Sequence, residues 1–346
     1  MFFARKSHKP PAMTLEGVLG PNSRIDEATG ITVQAPDALC VAGDGRLLFS
    51  SGNSVHSLRV WGAEPDIWAT FDRPVTALAA SPGGLVAVGL AGGELLVRDA
   101  AGGALDWILS SGFSSIADCT FLSEDEIAVV DNGYGAGENV LSVAPWDEAS
   151  KGRVVAVGRD GKARVLAGDL HCPMGIVREA GGGLLVTLLE RAAVVDMAGT
   201  ARRSGFPGYL GRIRKAGSGY VMACLSRRDP LIEFLKTEPG FVAEMKQKID
   251  PRHWLSPRGS PEFSHDFPIE LGATRLFGEI KPWAPSFSYG LVIELDDQLM
   301  PTGAAHSRAN GRRHAISDVC AWNGDLIAVS RASGELLNLG PAGHAP

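Results

Sequence analysis

Three carboxylates, a guanidinium and a thioether recur at comparable points of the chain: Asp37, Asp118 and Asp318, Arg212, and Met174. Each stands at the start of a short apolar run, so a fold that stacks such runs around an axis gathers them. Crowded carboxylates have raised pKa values and suit proton transfer, and an arginine can fix a carboxylate or phosphate with two parallel hydrogen bonds. Thr76 occupies the matching point of another run, and His171, Tyr209 and His314 come a few residues before Met174, Arg212 and Asp318. The expected catalytic groups are Asp318, Asp118 and His171. The expected substrate contacts are Asp37, Met174, Tyr209, Arg212, Trp283 and His314, and no residue is assigned to a metal. His171 has a second reading, a histidine hydrogen-bonded at the end of an element.

Other chemistries lack their signatures. There is no G-x-S-x-G elbow, no H-E-x-x-H, no phosphate-cradling glycine loop and no dinucleotide fingerprint. The net charge of −6 is spread over interspersed charges of both signs, without the basic stripe that a nucleic-acid groove needs. The five cysteines are widely spaced and form no C-x-x-C, which reads as buried reduced thiols in a cytoplasmic protein. The first residues, MFFARKSHKPPAM, hold no apolar run long enough for a signal peptide, and no later run could span a bilayer. A small-molecule substrate is the expected partner, with no nucleic acid and no membrane.

The elements that position these residues repeat. A polar or small pair, an apolar run, a Gly/Asp turn and a second apolar run recur from Ala35 to Asn53, Arg73 to Asp99, Ser115 to Gly133 and His171 to Asp196, then from Tyr209, and from Ala315 to Gly340. Starts lie roughly 40 residues apart, apart from longer gaps before the fourth and sixth copies, which is the period of four-stranded propeller blades. Alternation at Leu47 and Phe49, Val186 and Leu188, and Ile327 and Val329 fits sheets stacked face to face. The 43 glycines supply the turns. The expected fold is all-β, a six-bladed β-propeller over residues 31–346 after an N-terminal arm over 1–30. Ring closure calls for a strand from the arm or first repeat to join the last blade, since an open edge is a liability.

An insertion over about 229–286 separates the fifth and sixth blades. Asp229 can cap a helix, Pro230 suits its first position, and Leu231, Ile232, Phe234 and Leu235 offer an apolar face. Phe241, Val242, Met245 and Ile249 share a face of a continuing helix after the break at Pro239-Gly240. The irregular stretch beyond reads as a cover or lid, or as a surface excursion over apolar blade edges. Arg227 and Arg228, before the helix, are expected to pair with acids or cap loops, and Asp131 and Asn132 to make a turn.

SRRDPLIEFL at Ser226, PGYLGRIR at Pro207, CPMG at Cys172, YGLVIELD at Tyr289 and ISDVCAWNGDLIAVS at Ile316 resemble the strictosidine synthase-like family. More distantly they resemble the paraoxonases and the gluconolactonase-type calcium hydrolases. The resemblance covers roughly Thr32 to Gly340 and implies a pocket at one end of the central channel. In the calcium-binding relatives oxygen ligands hold the ion there. At the corresponding positions this chain has Asp37 for a Glu, Ala117 for an Asn, Met174 for an Asn, and Gly211 and Arg212 for an Asp-Asn pair. A thioether is a poor calcium ligand and a guanidinium repels the ion. The expectation is therefore no cofactor, with calcium possible only through a rebuilt site.

In strictosidine synthase a last-blade glutamate is the acid/base group, and the resemblance puts Asp318 at that position. It leads first to a metal-independent hydrolase of a lactone, ester or amide, or a lyase or cyclase, using Asp318 and its neighbours. The alternatives are a calcium-dependent hydrolase with a site rebuilt from Asp37, Asp118 and Asp318, and a non-catalytic small-molecule-binding propeller. Arg212 also has a structural reading, as a pin that stands in for the lost calcium and neutralises the acids.

Overall fold

A computed structural model describes residues 14–109, 112–135, 137–261, 275–276, 279–281 and 287–343. Six four-stranded antiparallel sheets follow one another around a ring. Their innermost strands are Leu39–Val41, Val75–Ala80, Ile116–Ser123, Pro173–Arg178, Gly208–Ala216 and Ile316–Trp322. The first four blades each run through four consecutive strands outward. The fifth is interrupted after Gly219–Arg227 and resumes at Gly290–Leu295.

The last blade is completed by the front of the chain: Thr29–Thr32 pairs antiparallel with Glu335–Pro341, Thr29 opposite Asn338. Residues before it brace the neighbouring blade. Asn22 donates to the Ala304 carbonyl at 2.9 Å and accepts from the His306 amide at 3.1 Å. Ile25, in helix α1 (Arg24–Glu27), is fully buried between blades five and six. The ring therefore has no free edge at its seam.

The core lies in the wedges between blades. Six apolar clusters each join two consecutive blades, and the one at the seam sets Leu39, Leu47 and Phe49 of the first blade against Trp322, Ile327 and Val329 of the sixth. The strand alternation has a specific meaning here. Leu47 and Phe49 face the sixth blade while Leu48, between them, faces the second. Both faces of the strand are buried, so the pattern divides residues between two neighbours instead of between core and water.

Two insertions form a roof over one face of the ring. One follows the second strand of blade three and carries helix α2 (Val140–Val143) and Trp146. The other, after the second strand of blade five, carries helices α3 (Pro230–Lys236) and α4 (Pro239–Lys248). They share a small core of Trp146, Ile232, Met245 and Phe287, and the Trp146 indole donates to Ser256 Oγ at 2.9 Å. Asp229 caps α3 through the amides of Leu231 and Ile232, a contact whose loss costs about 1 kcal/mol.

Phe241, Val242 and Met245 of α4 pack into the roof core as expected, with Ile232 and Leu235 of α3. The expected apolar faces are nevertheless narrower than read: Leu231, Phe234 and Ile249 are exposed, whereas Glu233 is buried beside Ile232. The reason in α3 is electrostatic: part of its buried face rests on a charged platform. Among the described residues no helix is long and apolar enough to cross a membrane.

Candidate functional site

Every blade opens with the same backbone contact. The first residue of the loop that follows a blade's second strand donates its amide to a carbonyl just before the innermost strand: Gly52 to Ala35, Ala91 to Pro74, Asn132 to Ser115, Leu189 to Cys172, Arg228 to Pro207 and Arg331 to Ala315. This contact fixes which residues are equivalent around the channel. Two positions further on stand Asp37, Thr76, Ala117, Met174, Tyr209 and Ser317. Asp118 and Asp318 lie one position deeper, and Arg212 deeper again. The six strand starts read from the sequence are thus not one ring but two layers, with Arg212 reaching back from below.

The upper layer is bulged. The ladder of innermost and second strands skips Thr76, Ala117, Met174 and Ser317, and it skips Gly211 and Arg212 in blade five. A bulge leaves carbonyls unpaired and re-aims them. Four of these upper-layer carbonyls are taken by one side chain. Arg212 donates from Nε to Ala117 O at 3.0 Å, from Nη1 to Asp37 O at 2.8 Å and Ser317 O at 3.3 Å, and from Nη2 to Thr76 O. The guanidinium also meets Asp37 Oδ1 at 3.2 Å, and its Nε lies 3.8 Å from both Asp118 and Asp318.

Arg214, two residues on, completes the plug. It binds both oxygens of Asp118, at 2.6 and 2.9 Å, and Asp318 Oδ2 at 2.9 Å. Asp118 belongs to blade three and Asp318 to blade six, on opposite sides of the ring. Each carboxylate also accepts an amide from the next blade round, Ile176 for Asp118 at 2.9 Å and Leu39 for Asp318 at 3.1 Å. Both are fully buried, and Arg212 is nearly so. Above them Asp37 keeps partial exposure and accepts two further bonds, both on Oδ1, from the half-exposed Arg331.

Electrostatics sorts the three acids. Burial pushes the Asp37 carboxyl up, but Arg331 and Arg212 outweigh it and hold the group below its ordinary value. For Asp318 burial wins: its carboxyl lies above the usual range despite Arg214 and Arg212, with the Asp118 charge adding to the rise. On both arginines burial favours the neutral form, yet the carboxylates more than offset it and the guanidinium groups stay charged. Three carboxylates (Asp37, Asp118, Asp318) face three guanidinium groups (Arg212, Arg214, Arg331), so the cluster is balanced.

The side chains of the other expected residues are engaged elsewhere. His171 and Tyr209 join a second buried network under α3. Tyr209 donates to Glu233 at 3.1 Å and lies beneath the Arg228 guanidinium, 5.1 Å from its ring centre. Arg228 pairs with Glu233 at 2.5 Å and stands 3.8 Å from Glu190, which is itself paired with Lys236. His171 Nε2 is 2.6 Å from the Asp147 carbonyl, and Nδ1 is 3.7 Å from Glu190. His314 is buried against Ser288 Oγ and the Arg308 carbonyl, an anchor for the loop leading into blade six. Met174 packs in the apolar wedge between blades three and four. Trp283 lies outside the described residues.

The structure thus brings together Asp37, Asp118, Asp318 and Arg212, and adds Arg214 and Arg331, which sequence reasoning missed. Arg214 had a signal in the spacing of Arg-Ile-Arg, since alternate residues of a strand share a face. Arg331 had none, being a loop residue brought in by ring closure.

A calcium ion of the kind held by the channel-binding relatives does not fit these residues. The carbonyls and carboxylates that face the axis are already directed at two guanidinium groups, and among the described residues no group of His, Cys, Asp or Glu has metal-holding geometry.

Comparison with known proteins adds the fold and little else. No family profile and no curated protein matches the chain. Among solved structures, one provisionally assigned as a gluconolactonase aligns over 90% of this chain and 91% of its own, at 13% identity and a TM-score of 0.51. A chain of a nidogen/laminin complex aligns over 56% of this chain and 73% of its own, at 14% identity and a TM-score of 0.43. The second likeness carries no argument. The first shows that this chain shares a fold with the gluconolactonase-assigned structure, and at that identity it reaches no further than the fold.

Proposed function

We propose that the protein is a small-molecule-binding propeller of the strictosidine synthase-like kind that works without a metal, its channel held shut by its own arginines. The observation that carries this is the bonding of Arg212: one side chain donates to four converging carbonyls and sits among three carboxylates. A ligand would be received on the roofed face above the plug, where Asp37 and Arg331 are charged groups with solvent access. Asp118 and Asp318, fully buried and saturated with donors, act as pins.

One observation favours a second reading. The raised pKa of Asp318 is what a proton-donating carboxyl needs, which keeps open a metal-independent hydrolase of a lactone, ester or amide, or a lyase.

On both readings purified protein contains no stoichiometric calcium and keeps its melting temperature in excess chelator. One calcium per chain, with a large loss of melting temperature on chelation, would overturn both. The readings differ at Asp318. Asp318→Asn is expected to alter stability and leave ligand affinity unchanged. If the wild type turns over lactones, esters or amine–aldehyde pairs and the folded variant loses ~10²–10⁴ in rate, the second reading replaces the first.

A further inference from the structure

Away from the channel, a polar cleft opens at the rim between blades five and six, bounded by α1, the loop from Arg308 to Arg313 and the turn after the second strand of blade six. It offers about 1040 Å³, ample for a monosaccharide-sized ligand. We infer that this cleft binds a polyhydroxylated anion, a sugar carrying a phosphate or carboxylate.

The anion is called for by two arginines. Arg312 is exposed and, among the described residues, has no hydrogen-bond or ion-pair partner. Arg308 spends one bond on Ser23 Oγ at 3.0 Å, and its other side-chain donors have no hydrogen-bond partner among the described residues. Guanidinium groups are suited to bind phosphate or carboxylate through paired, charge-assisted bonds. The third arginine of the cleft plays a different part. Arg313 holds both oxygens of Glu335, at 3.1 and 3.0 Å, and three carbonyls of the α1 segment, so it builds the wall and neutralises one acid.

The hydroxylated body is called for by the rest of the lining. Ser23, Thr32, Asn310 and Ser333 offer neutral donors and acceptors. Two carboxylates, Asp26 and Glu27, would repel a bare anion but accept hydrogen bonds from hydroxyl groups. Asp26 is fixed by Ser307 Oγ at 2.6 Å, and a β-carbon at Gly311 would stand 2.6 Å from its carboxylate. The loop therefore approaches α1 as closely as a glycine permits, which gives the cleft a built wall. Among the described residues the lining offers guanidinium groups, acceptors and hydroxyls and no aromatic ring, which fits a charged polyol better than a flat or apolar ligand.

Calorimetric titration of the full chain with glucose 6-phosphate, glucose and inorganic phosphate tests this. Glucose 6-phosphate is expected to bind with Kd at or below about 1 mM, at least about tenfold tighter than glucose or phosphate alone. Arg312→Met should weaken it by about tenfold or more. Thr32→Val should weaken glucose 6-phosphate without changing phosphate. Both side chains are exposed, so both variants should keep the wild-type melting temperature. Equal affinity for phosphate and glucose 6-phosphate, no binding by any of the three, or binding that Arg312→Met leaves untouched would overturn the assignment.

Discussion

Arg214→Met is expected to cost the fold about 3–5 kcal/mol, the penalty for stranding buried charge by removing one partner. Methionine fills much of the volume but leaves Asp118 and Asp318 fully buried, facing each other's charge across the channel with Arg212 only at 3.8 Å. Because those acids sit on blades three and six, the loss should be felt by the whole ring. The measurement is the denaturation midpoint at neutral pH, with unchanged slope. A second variant separates charge from packing: adding Asp118→Asn and Asp318→Asn to Arg214→Met should restore a large part of the stability. A single variant as stable as the wild type would show that Arg212 alone neutralises the cluster.

Arg228→Met should act locally with a similar magnitude, about 3–5 kcal/mol on the attachment of the roof. Arg228 is fully buried between Glu190 and Glu233, and Glu233 lies on α3. Without it the helix is pushed from blade four by two carboxylates whose shared cation among the described residues is Lys236. Hydrogen exchange should rise in α3 and α4 while the blade strands keep their protection. Acid should have the same effect in the wild type. Burial pushes the Glu190 carboxyl up, but Lys236, Arg191 and Arg228 hold it below its ordinary value of 4.5. A carboxyl lowered on folding contributes stability above its unfolded pKa, and that contribution is lost as pH falls through the folded pKa. The roof should therefore hold at neutral pH and loosen below the ordinary glutamate range. Equal exchange in roof and blades under either condition would contradict the latch.

The period of the apolar runs was enough to count six blades, and the Asp-Pro start located α3. Periodicity reports which residues are buried, so it is readable wherever burial alone decides the structure. The site depended on something else. Asp37 and Asp118 look equivalent in sequence because each opens a run, but counted from the contact that opens each blade Asp37 matches Ala117 and Asp118 lies one residue deeper, and that contact leaves no mark in composition. His171 and Tyr209 were near Met174 and Arg212 in the chain, yet the partners that claim them, Asp147, Glu190 and Glu233, come from loops that only the fold brings near. Arg212 was legible as a misfit in a channel of acids. Its four carbonyl partners were not, since backbone direction cannot be read from side-chain identity.

The pairing of Thr29–Thr32 with Glu335–Pro341 has a consequence for how the molecule is made. The partners are separated by about 300 residues, among the longest-range contacts a chain of this length can form. Blades one to five can assemble in turn as the polypeptide leaves the ribosome, each against its predecessor. The sixth cannot, because its outer strand is made first and its other three last. Until then the early strand waits unpaired and the ring is a spiral with two sticky ends. Closure is a late, entropically costly step, and its interruption leaves chains able to pair with one another.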